Sequence, residues 1–362
     1  MLRSPAVDAR RLAGGLGTFL LAQLALVIIA AAASATLSPL RERLPLSAVP
    51  EAGPPPSPVT LAFAGDVHLE GLLAERWAAE GTALFDPLGA MLADADVAVV
   101  NLETAVGAAG EPEQKQYAFQ APAEVLTGLR DAGVDAASVA NNHGMDYGEE
   151  GLAASVAAGQ AAGLPLIGAG RDAEEAWAPW VTEVRGQRIA VVAATLVLDD
   201  NLIEGWSAGA DHAGLASARD VGAAEAAVRQ ARAVADTVVV YLHWGTEGES
   251  CPSAPQRWMA DRLVAAGADV IVGSHTHRLQ AAGFKGGAFV AYGLGNSVWY
   301  SDGGESAESG VLRLTVQAGE VLGYEWVPAR LAGGVATALE GEGAIAAHDA
   351  WSGLRGCADV TP

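Results

Sequence analysis

The sequence predicts an α/β fold for most of the chain. Short runs rich in β-branched residues alternate with alanine-rich stretches of helical length. That alternation is typical of a sheet whose strands are connected by helices. After Gly283 the pattern changes to strands without helices. A third observation is that polar clusters follow five of the six strands predicted before Gly283.

The predicted elements are bounded by changes in hydrophobic pattern and by Gly, Pro, Asn and Asp. The predicted strands are Val59–Ala64, Val97–Asn101, Ala136–Ala140, Ile189–Ala194, Thr237–Leu242, Val270–Gly273, Phe289–Gly293, Val311–Gln317 and Gly323–Ala329. The predicted helices are Pro122–Ala132, Glu150–Ala162, Ser217–Ala235 and Pro255–Ala266. No internal repeat is evident.

The N-terminal segment predicts that the rest of the chain is exported. Residues 12–37 contain no charged side chain, and about 20 apolar residues are enough to span a bilayer. Arg3, Arg10 and Arg11 precede this run, which favours a cytoplasmic N-terminus. The length of the run favours an uncleaved anchor, although a cleaved signal peptide, with Ala33-Ser34-Ala35 as its cleavage site, is the alternative.

These features divide the chain into five predicted parts. Residues 1–11 are cytoplasmic, 12–37 form a transmembrane anchor, 38–58 form a Pro-rich linker, 59–331 form the folded domain, and 332–362 form a peripheral Gly- and Ala-rich tail. The prediction is therefore a single-pass protein of the cell membrane whose C-terminal domain is extracytoplasmic.

Charge and cysteine content exclude several classes of function. The chain has 43 acidic and 21 basic residues, a formal net charge of −22, so the basic surface of a nucleic-acid-binding protein is absent. The two cysteines, Cys251 and Cys357, form no CxxC pair, which excludes a thiolate zinc site. They could form a disulfide or remain free thiols, because sequence separation does not determine their geometry.

Polar clusters stand directly after the predicted strands. In open α/β sheets, ligands bind beyond the carboxyl ends of the strands, so clusters that are far apart in sequence can meet there. The clusters are Gly65-Asp66-Val67-His68, Asn101-Leu102-Glu103, Asn141-Asn142-His143, His243-Trp244-Gly245 and Gly273-Ser274-His275-Thr276-His277.

The chemistry of these clusters indicates a metal site. Five of the seven histidines lie in them, together with Asp66, Glu103 and Asn142. Imidazole and carboxylate donors suit Zn, Fe, Mn or Co. Each residue alone has a structural alternative, such as a helix cap at Asp66 or a turn at Asn142. Their joint placement predicts two divalent cations that activate a water molecule.

The motifs FAGDVH, NLETAV, ANNHGMDYGEEGL, YLHWGTE, GSHTHRLQ and YGLGNSVW resemble, in this order, the bacterial capsule-synthesis CapA family of the metallophosphoesterase superfamily. The resemblance extends from about Val59 to Val316. It implies a four-layer α/β/β/α sandwich of metallo-dependent phosphatase type and a link to poly-γ-glutamate capsule production.

The resemblance also implies the roles of nine residues. The first metal would be held by Asp66, His68 and His277, the second by Asn142, His243 and His275, with Glu103 as the bridge, His143 as the proton donor and Asp146 as its orienting partner. Glu103 stands where the superfamily usually has aspartate, Thr276 where the family more often has proline, and Ser297 where phenylalanine is more usual. Four further residues would line the substrate site: Asn141, Glu247, Arg278 and Asn296.

Two functions follow as hypotheses. The first is a hydrolase with two divalent ions (Mn, Fe or Zn) that cleaves a phosphoester or a γ-glutamyl amide in an anionic envelope polymer or its precursor. The second is a non-catalytic, polymer-binding component of a capsule synthesis and export complex, in which Lys115, Arg278 and Arg257 contact carboxylates. The predicted anchor disfavours a third function, an intracellular nucleotide phosphatase.

Overall fold

The structure is a computed structural model that describes residues 56–300 and 303–362. The predicted cytoplasmic segment 1–11, the anchor 12–37 and the linker up to residue 55 lie outside the described residues. Among the helices that are described, none combines the length and the apolar character needed to cross a bilayer.

The described residues form strands and helices in alternation up to residue 274. The strands are β1 (Val59–Val67), β2 (Val97–Leu102), β3 (Ala105–Val106), β4 (Gln120–Ala121), β5 (Ala136–Ser138), β6 (Leu166–Ile167), β7 (Ala169–Gly170), β8 (Trp180–Val184), β9 (Gln187–Thr195), β10 (Gly214–Leu215), β11 (Thr237–His243), β12 (Val270–Ser274), β13 (Ala282–Lys285), β14 (Ala288–Ala291), β15 (Asn296–Val298), β16 (Glu308–Gln317), β17 (Glu320–Ala332) and β18 (Val335–Ala338). The helices are α1 (Leu72–Glu80), α2 (Asp86–Leu92), α3 (Glu124–Asp131), α4 (Gly148–Ala162), α5 (Ala173–Ala176), α6 (Ile203–Trp206), α7 (Val221–Val234), α8 (Ala254–Ala266) and α9 (Gly341–Gly353).

Two large sheets contain most of the strands. The first has eight strands in the order β15-β18-β17-β16-β1-β2-β5-β6, and β1, β2, β5 and β6 are parallel. The second has six strands in the order β13-β14-β12-β11-β9-β8, of which β9, β11, β12 and β14 are parallel. In the second sheet antiparallel strands complete both edges, whereas in the first the antiparallel strands β16, β17 and β18 lie on one side of β1 and the parallel strand β6 forms the edge on the other side.

Alternation along the central strands determines how the layers pack, because successive side chains of a strand point to opposite faces. In β1, Leu61 and Phe63 belong to a core shared with Val191 and Tyr241 of the second sheet. Their neighbour Ala62 belongs to a separate core with α1, α2 and α3. The outer face of the second sheet packs on α7 and α8. The layers are therefore helices, sheet, sheet, helices, and the mixed α/β class is confirmed.

Local sequence explains where the longer helices begin and end. The Ser253 side chain accepts a hydrogen bond from the Gln256 amide, and the Gln256 side chain accepts one from the Ser253 amide, which caps the start of α8. Gly163 and Gly267 end α4 and α8 in the left-handed conformation, which glycine adopts without steric cost.

The predicted strands and long helices all occur, with ends shifted by at most four residues. The sequence analysis did not predict five helices and nine strands: α1, α2, α5, α6, α9, β3, β4, β6, β7, β8, β10, β13, β15 and β18.

The C-terminal residues 332–362 are not a peripheral tail, and that prediction is wrong. β18 pairs with β17, and α9 places Trp351, which is 1% exposed, in the core between the sheets. Trp351 stacks on Trp326 with ring centroids 4.7 Å apart. Cys357 forms a disulfide with Cys251, 106 residues earlier. The segment is Gly- and Ala-rich, but one large buried aromatic side chain and a disulfide attach it to the rest of the domain.

Candidate metal centre

The polar clusters meet where the carboxyl ends of parallel strands from both sheets come together. In the first sheet Asp66 of β1 is in register with Asn101 of β2, and Glu103 follows β2 directly. In the second sheet His243 of β11 is in register with Ser274 of β12. The geometry therefore brings these distant segments to one place, as expected from the position of ligand sites in α/β sheets.

Two groups of side chains have metal-binding geometry, and they share one residue. Glu103, His243 and His275 form the first group, and Asp66, Glu103 and His277 form the second. In each group one ligand atom per residue lies within 4.8 Å of the others. Glu103 therefore stands between two potential ion positions, which is the place of a bridging carboxylate.

Buried polar atoms without partners show that this donor set fits cations. Glu103 is fully buried, and neither of its carboxylate oxygens has a hydrogen-bond partner among the described residues. Nδ1 of His275, which is 5% exposed, also has no partner there. Burying such groups unpaired is costly, and metal coordination is one of the ways proteins compensate for it. The residues present fit divalent metal ions.

Burial also controls the protonation of these ligands. Burial, reinforced by the charge of Asp66, raises the pKa of Glu103 well above its ordinary value. Burial and the neighbouring His275 hold the pKa of His243 well below its usual range. Burial, followed by the neighbouring His277, lowers the pKa of His275 to about 3. The imidazoles are therefore neutral, which is the form that binds metal.

Asp66 is fixed by three neighbours. Its Oδ1 accepts a hydrogen bond from Asn101 Nδ2 at 2.9 Å, and its Oδ2 accepts one from the His275 amide at 3.1 Å. His277 Nδ1 lies 3.2 Å from the same Oδ2. Burial opposes protonation of His277, but the hydrogen bond and charge of Asp66 outweigh it, so its pKa is raised. Asp66 and His277 thus form a close pair.

His243 and Asn142 approach each other as two ligands of one ion would. His243 Nε2 lies 2.7 Å from Asn142 Oδ1 and 3.5 Å from Glu103 Oε1. On the other side of the ring, Nδ1 lies 3.0 Å from Ser274 Oγ and 3.2 Å from Asn101 Nδ2. Such contacts at the second nitrogen fix the orientation of a metal-binding imidazole.

Asn101 and Ser274 are site residues that the sequence analysis did not single out. Asn101 contacts Asp66, His243 and Asn141, so it connects both sheets. Asn101 is the last residue of its predicted strand and Ser274 directly follows one, and each is in register with a ligand of the neighbouring strand. That register was the signal that could have identified them.

His68 lies beside the two groups but belongs to neither. Its ring stacks on Trp299 with centroids 3.9 Å apart, and its Nε2 accepts a hydrogen bond from the Tyr300 amide at 3.3 Å. Its Nδ1 is buried without a partner in the described part of the chain. Burial, followed by His143 and His277, lowers the pKa of His68 to about 2.

His143 and Asp146 form a separate pair at the same edge. His143 Nδ1 lies 2.6 Å from Asp146 Oδ2, which leaves Nε2 as the other ring nitrogen. Asp146 also accepts bonds from the Phe119 amide at 2.6 Å and from Lys115 Nζ at 2.8 Å. Burial lowers the pKa of His143, although Asp146 acts in the opposite direction.

Lys115 was expected to contact a polymer, but in the structure its ammonium group contacts other groups of the protein. Its Nζ donates to the Asn142 carbonyl as well as to Asp146, and Asp199 Oδ2 is 3.6 Å away. It also lies over the ring of Trp206, 4.9 Å from the centroid.

The backbone is strained where the ligands follow the second sheet. His275 and His277 have φ values of 90° and 52°, a region that non-glycine residues seldom adopt. Strain of this kind persists where the surrounding structure enforces it, and it is concentrated at functional sites. A close approach explains the glycine before Asp66, because a Cβ at Gly65 would lie 1.9 Å from the Gly295 carbonyl oxygen.

The four residues predicted to line a substrate site differ in position. Asn141 is buried; its side chain donates to Asn101 Oδ1 and accepts from the backbone amide of His143, so it positions these two residues. Asn296 Oδ1 lies 2.9 Å from His277 Nδ1. Glu247 is exposed on the loop after β11.

Arg278 pairs with Glu305 at 2.6 Å. Arg257, the third expected cation, donates to the Pro252 carbonyl at the start of α8. The structure therefore brings Arg257 to a helix terminus and not among the ligands.

Comparison with known proteins identifies the relatives of this arrangement. Residues 60–301 match the family described as "Bacterial capsule synthesis protein PGA_cap". The chain is 32% identical over 188 residues to the capsule biosynthesis protein CapA of Bacillus anthracis, which covers 51% of this chain and 45% of that protein. It is 29% identical over 245 residues to the PGA biosynthesis protein CapA of Bacillus subtilis, covering 67% of this chain and 63% of that one. The chain thus aligns with about half to two-thirds of these relatives.

A solved structure is also similar in outline. The crystal structure of a phosphatase from Mycoplasma pneumoniae aligns with a TM-score of 0.46 and 13% identity, over 75% of this chain and 94% of that one. A score below 0.5 establishes neither a common fold nor a common activity.

Proposed function

Because this chain belongs to the PGA_cap family of bacterial capsule synthesis proteins, we propose that its folded domain is a two-metal hydrolase of metallophosphoesterase type. It acts on an anionic envelope polymer, such as capsular poly-γ-glutamate, or on a precursor of that polymer. The observation that carries the proposal is Glu103, a fully buried carboxylate that accepts no hydrogen bond from any described residue and is shared by two ligand groups.

The two ions would have distinct ligands on either side of Glu103. Asp66 and His277 would hold the first. Asn142, His243 and His275 would hold the second. The nitrogen and oxygen donors suit Mn, Fe or Zn. When bound, such a pair supplies positive charge and activation of water.

Among the other site residues, His143 would transfer a proton, and Asp146, Lys115 and Asn101 hold the side chains in position. Asp146 accepts from His143 Nδ1, so Nε2 is the ring nitrogen that would exchange a proton with the leaving group. Lys115 bonds both to Asp146 and to the Asn142 carbonyl, so it fixes the proton-transferring side chain relative to a metal ligand. Asn101 holds Asp66 and His243 in the same way.

The proposal places the domain outside the cytoplasm, attached to the cell membrane through residues 12–37. The Cys251–Cys357 disulfide supports this location, since disulfides persist mainly in oxidising compartments. Components of a capsule synthesis complex are the expected protein partners, and nucleic acid is not an expected ligand.

Turnover with and without metal tests the proposal. The purified full-length chain, stripped and then reloaded with Mn²⁺, Fe²⁺ or Zn²⁺, is assayed on a chromogenic phosphodiester and on poly-γ-glutamate. Metal-dependent cleavage should fall by about 10²–10⁴-fold in His143→Ala, the usual contribution of general acid–base catalysis. His348→Ala, which alters an exposed histidine on α9, is the matched control and should retain full activity.

The outcomes separate the two hypotheses. Cleavage that persists in His143→Ala would remove that residue from the proposed role. Two tightly bound ions with no cleavage of either substrate class would favour the non-catalytic, polymer-binding component.

A further inference from the structure

A short 3-10 helical segment, residues 304–307, lies beside the proposed position of the first ion. Asn296 connects this 304–307 segment to the metal centre. Its Nδ2 donates a hydrogen bond to the Ser306 carbonyl at 3.0 Å, and its Oδ1 lies 2.9 Å from Nδ1 of His277, a proposed ligand of the first ion. One hydrogen-bonded side chain therefore separates the segment from the metal centre.

Two arginines from different strands of the fold contact the 304–307 segment. Arg278, which directly follows His277, bonds through Nη1 to Glu305 Oε2 at 2.6 Å. Arg330 of β17 donates through Nη2 to the Gly304 carbonyl at 3.2 Å. The two guanidinium groups thus contact consecutive residues. Arg330 is exposed and the side chain of Arg278 is 21% exposed, so a ligand at the surface can reach both.

The two guanidinium groups keep hydrogen-bond donors that the described residues do not use. Arginine carries five N–H donors in a planar fork. Nε of Arg278 has no partner in the described part of the chain. Arg330 bonds there to a backbone carbonyl and forms no salt bridge, although the exposed Glu308 stands opposite it on β16. Lys115 differs from both, because its ammonium group is 8% exposed and paired with Asp146.

Glu305 occupies the place that a ligand carboxylate would take on Arg278. Its side chain is 69% exposed, and ion pairs of exposed groups contribute little to stability because water and salt screen them. Another carboxylate can therefore replace it at small cost. A ligand with several carboxylates has the advantage over Glu305, since it engages the second arginine at the same time.

The charge of the whole chain makes such local cations necessary. The formal net charge of −22 repels a polyanion at long range. Arginine offers a bidentate hydrogen-bonding fork to a carboxylate, which is stronger than a neutral hydrogen bond. Arg278 and Arg330 are thus suited to hold an anionic chain that the rest of the surface repels.

We propose that Arg278 and Arg330 form a subsite for carboxylates of the polymer, and that Glu305 covers Arg278 until a polymer carboxylate displaces it. The subsite rests on the proposed function, because it assigns a carboxylate-rich polymer to the metal centre described above. A polymer bound there extends from the first ion position, next to His277, along the 304–307 segment.

Binding of a defined oligomer tests the subsite without any turnover. The background is the full-length His143→Ala chain, loaded with Mn²⁺ and freed of excess metal, and the probe is γ-linked hexaglutamate titrated by calorimetry. Arg278→Gln and Arg330→Gln should each weaken binding about tenfold, the usual size of a hydrogen bond to a charged group. Glu305→Gln should tighten binding about threefold, because it removes the competing carboxylate.

The exposed ion pair of Arg171 and Glu175 supplies matched controls away from the 304–307 segment. Arg171→Gln and Glu175→Gln remove the same charges, so they measure the long-range effect alone, and each should stay within about twofold of the background. γ-Linked hexaglutamine, which lacks the carboxylates, should show no saturable binding.

Four results would overturn the proposal. They are absence of hexaglutamate binding by the folded background, unchanged affinity in both arginine variants, equal affinity for hexaglutamine, and a Glu305→Gln affinity no higher than that of Glu175→Gln. The measured quantities are affinities and not rates. A failure to find metal-dependent cleavage therefore leaves them unchanged, and the subsite and the proposed hydrolase fail separately.

Discussion

The candidate metal centre and the C-terminal segment 332–362 differ in whether the chain itself satisfies their buried groups. In the metal centre, Glu103 and His275 are buried with polar atoms that no described residue satisfies. The C-terminal segment depends on contacts that the chain makes with itself: the Trp351–Trp326 stack, the Cys251–Cys357 disulfide and the Asp359–Lys285 ion pair.

The contrast separates residues that stabilise the fold from residues that are suited to bind a ligand. A buried carboxylate without a partner lowers the stability of the metal-free protein. The remainder of the fold therefore has to supply the stability that this end of the sheets lacks. We expect C-terminal substitutions to act with or without metal, and ligand substitutions to act chiefly when metal is present.

Removal of Trp351 should have the largest effect on stability. Trp351→Ala leaves a cavity between the sheets, and such substitutions cost about 3–5 kcal/mol. Denaturant unfolding of the metal-free chain measures the change. The same decrease is expected in the metal-loaded chain, and the ion content of the folded protein should not change. A loss of less than about 1 kcal/mol would show that the segment is peripheral after all.

Removal of the disulfide should have the next largest effect. Replacing Cys251 and Cys357 together by serine removes a cross-link between residues 106 positions apart and so increases the number of conformations open to the unfolded chain. Loss of a disulfide typically lowers the free energy of unfolding by about 2–4 kcal/mol. Wild-type protein unfolded under reducing conditions is the control and should match the variant. Equal stability of the oxidised wild type and the variant would contradict the prediction.

Substitution of a ligand should act through the metal. Binding stabilises the native state by about 2.7 kcal/mol at a metal concentration one hundred times the Kd. His275→Ala should lose most of that increment, which is measured as the difference in unfolding free energy with and without Mn²⁺. His348→Ala should keep it. An undiminished increment in His275→Ala would remove His275 from the ligands.

A surface contact of the C-terminal segment should have the smallest effect. Burial opposes ionisation of Asp359, but hydrogen bonds from Lys285 and Tyr292 outweigh it and lower its pKa. Asp359→Asn should cost up to about 1 kcal/mol at pH 7. Since the folded pKa is depressed, this contribution is present above the ordinary carboxyl pKa and is lost as the pH falls through the lowered value.

Unfolding of Asp359→Asn as a function of pH provides the check. Its difference from wild type should disappear in acid, and Asp349→Asn, at an exposed position of α9, should show no difference at any pH. A difference that persists below the lowered pKa would mean that the carboxylate charge is not its source.

The sequence predicted the central strands and the ligand clusters because both depend on local patterns. β1, β11 and β12 are largely apolar runs, and each ends in a polar or glycine-containing cluster. The C-terminal segment was missed for the opposite reason. Trp351 is one aromatic residue in a Gly- and Ala-rich stretch and packs on the distant Trp326, and Cys357 pairs with a cysteine 106 residues away; no local pattern encodes either contact.

Within the site, ligand types could be predicted but their partners could not. Asn101 follows from strand register, which requires knowing that β1 and β2 are neighbours. His68 was grouped with Asp66 by motif, yet its ring stacks on Trp299, because the side-chain rotamer depends on the packing of a distant segment.

The number of ions bound per chain tests the central claim most directly. Full-length wild type and Glu103→Gln, which keeps the shape of the side chain and removes its charge, are saturated with Mn²⁺, freed of excess metal and measured by elemental analysis. Glu305→Gln, at an exposed carboxylate, is the control. We predict two ions for the wild type and for the control, and fewer than one for Glu103→Gln. Two ions in Glu103→Gln, or none in the wild type, would contradict the account.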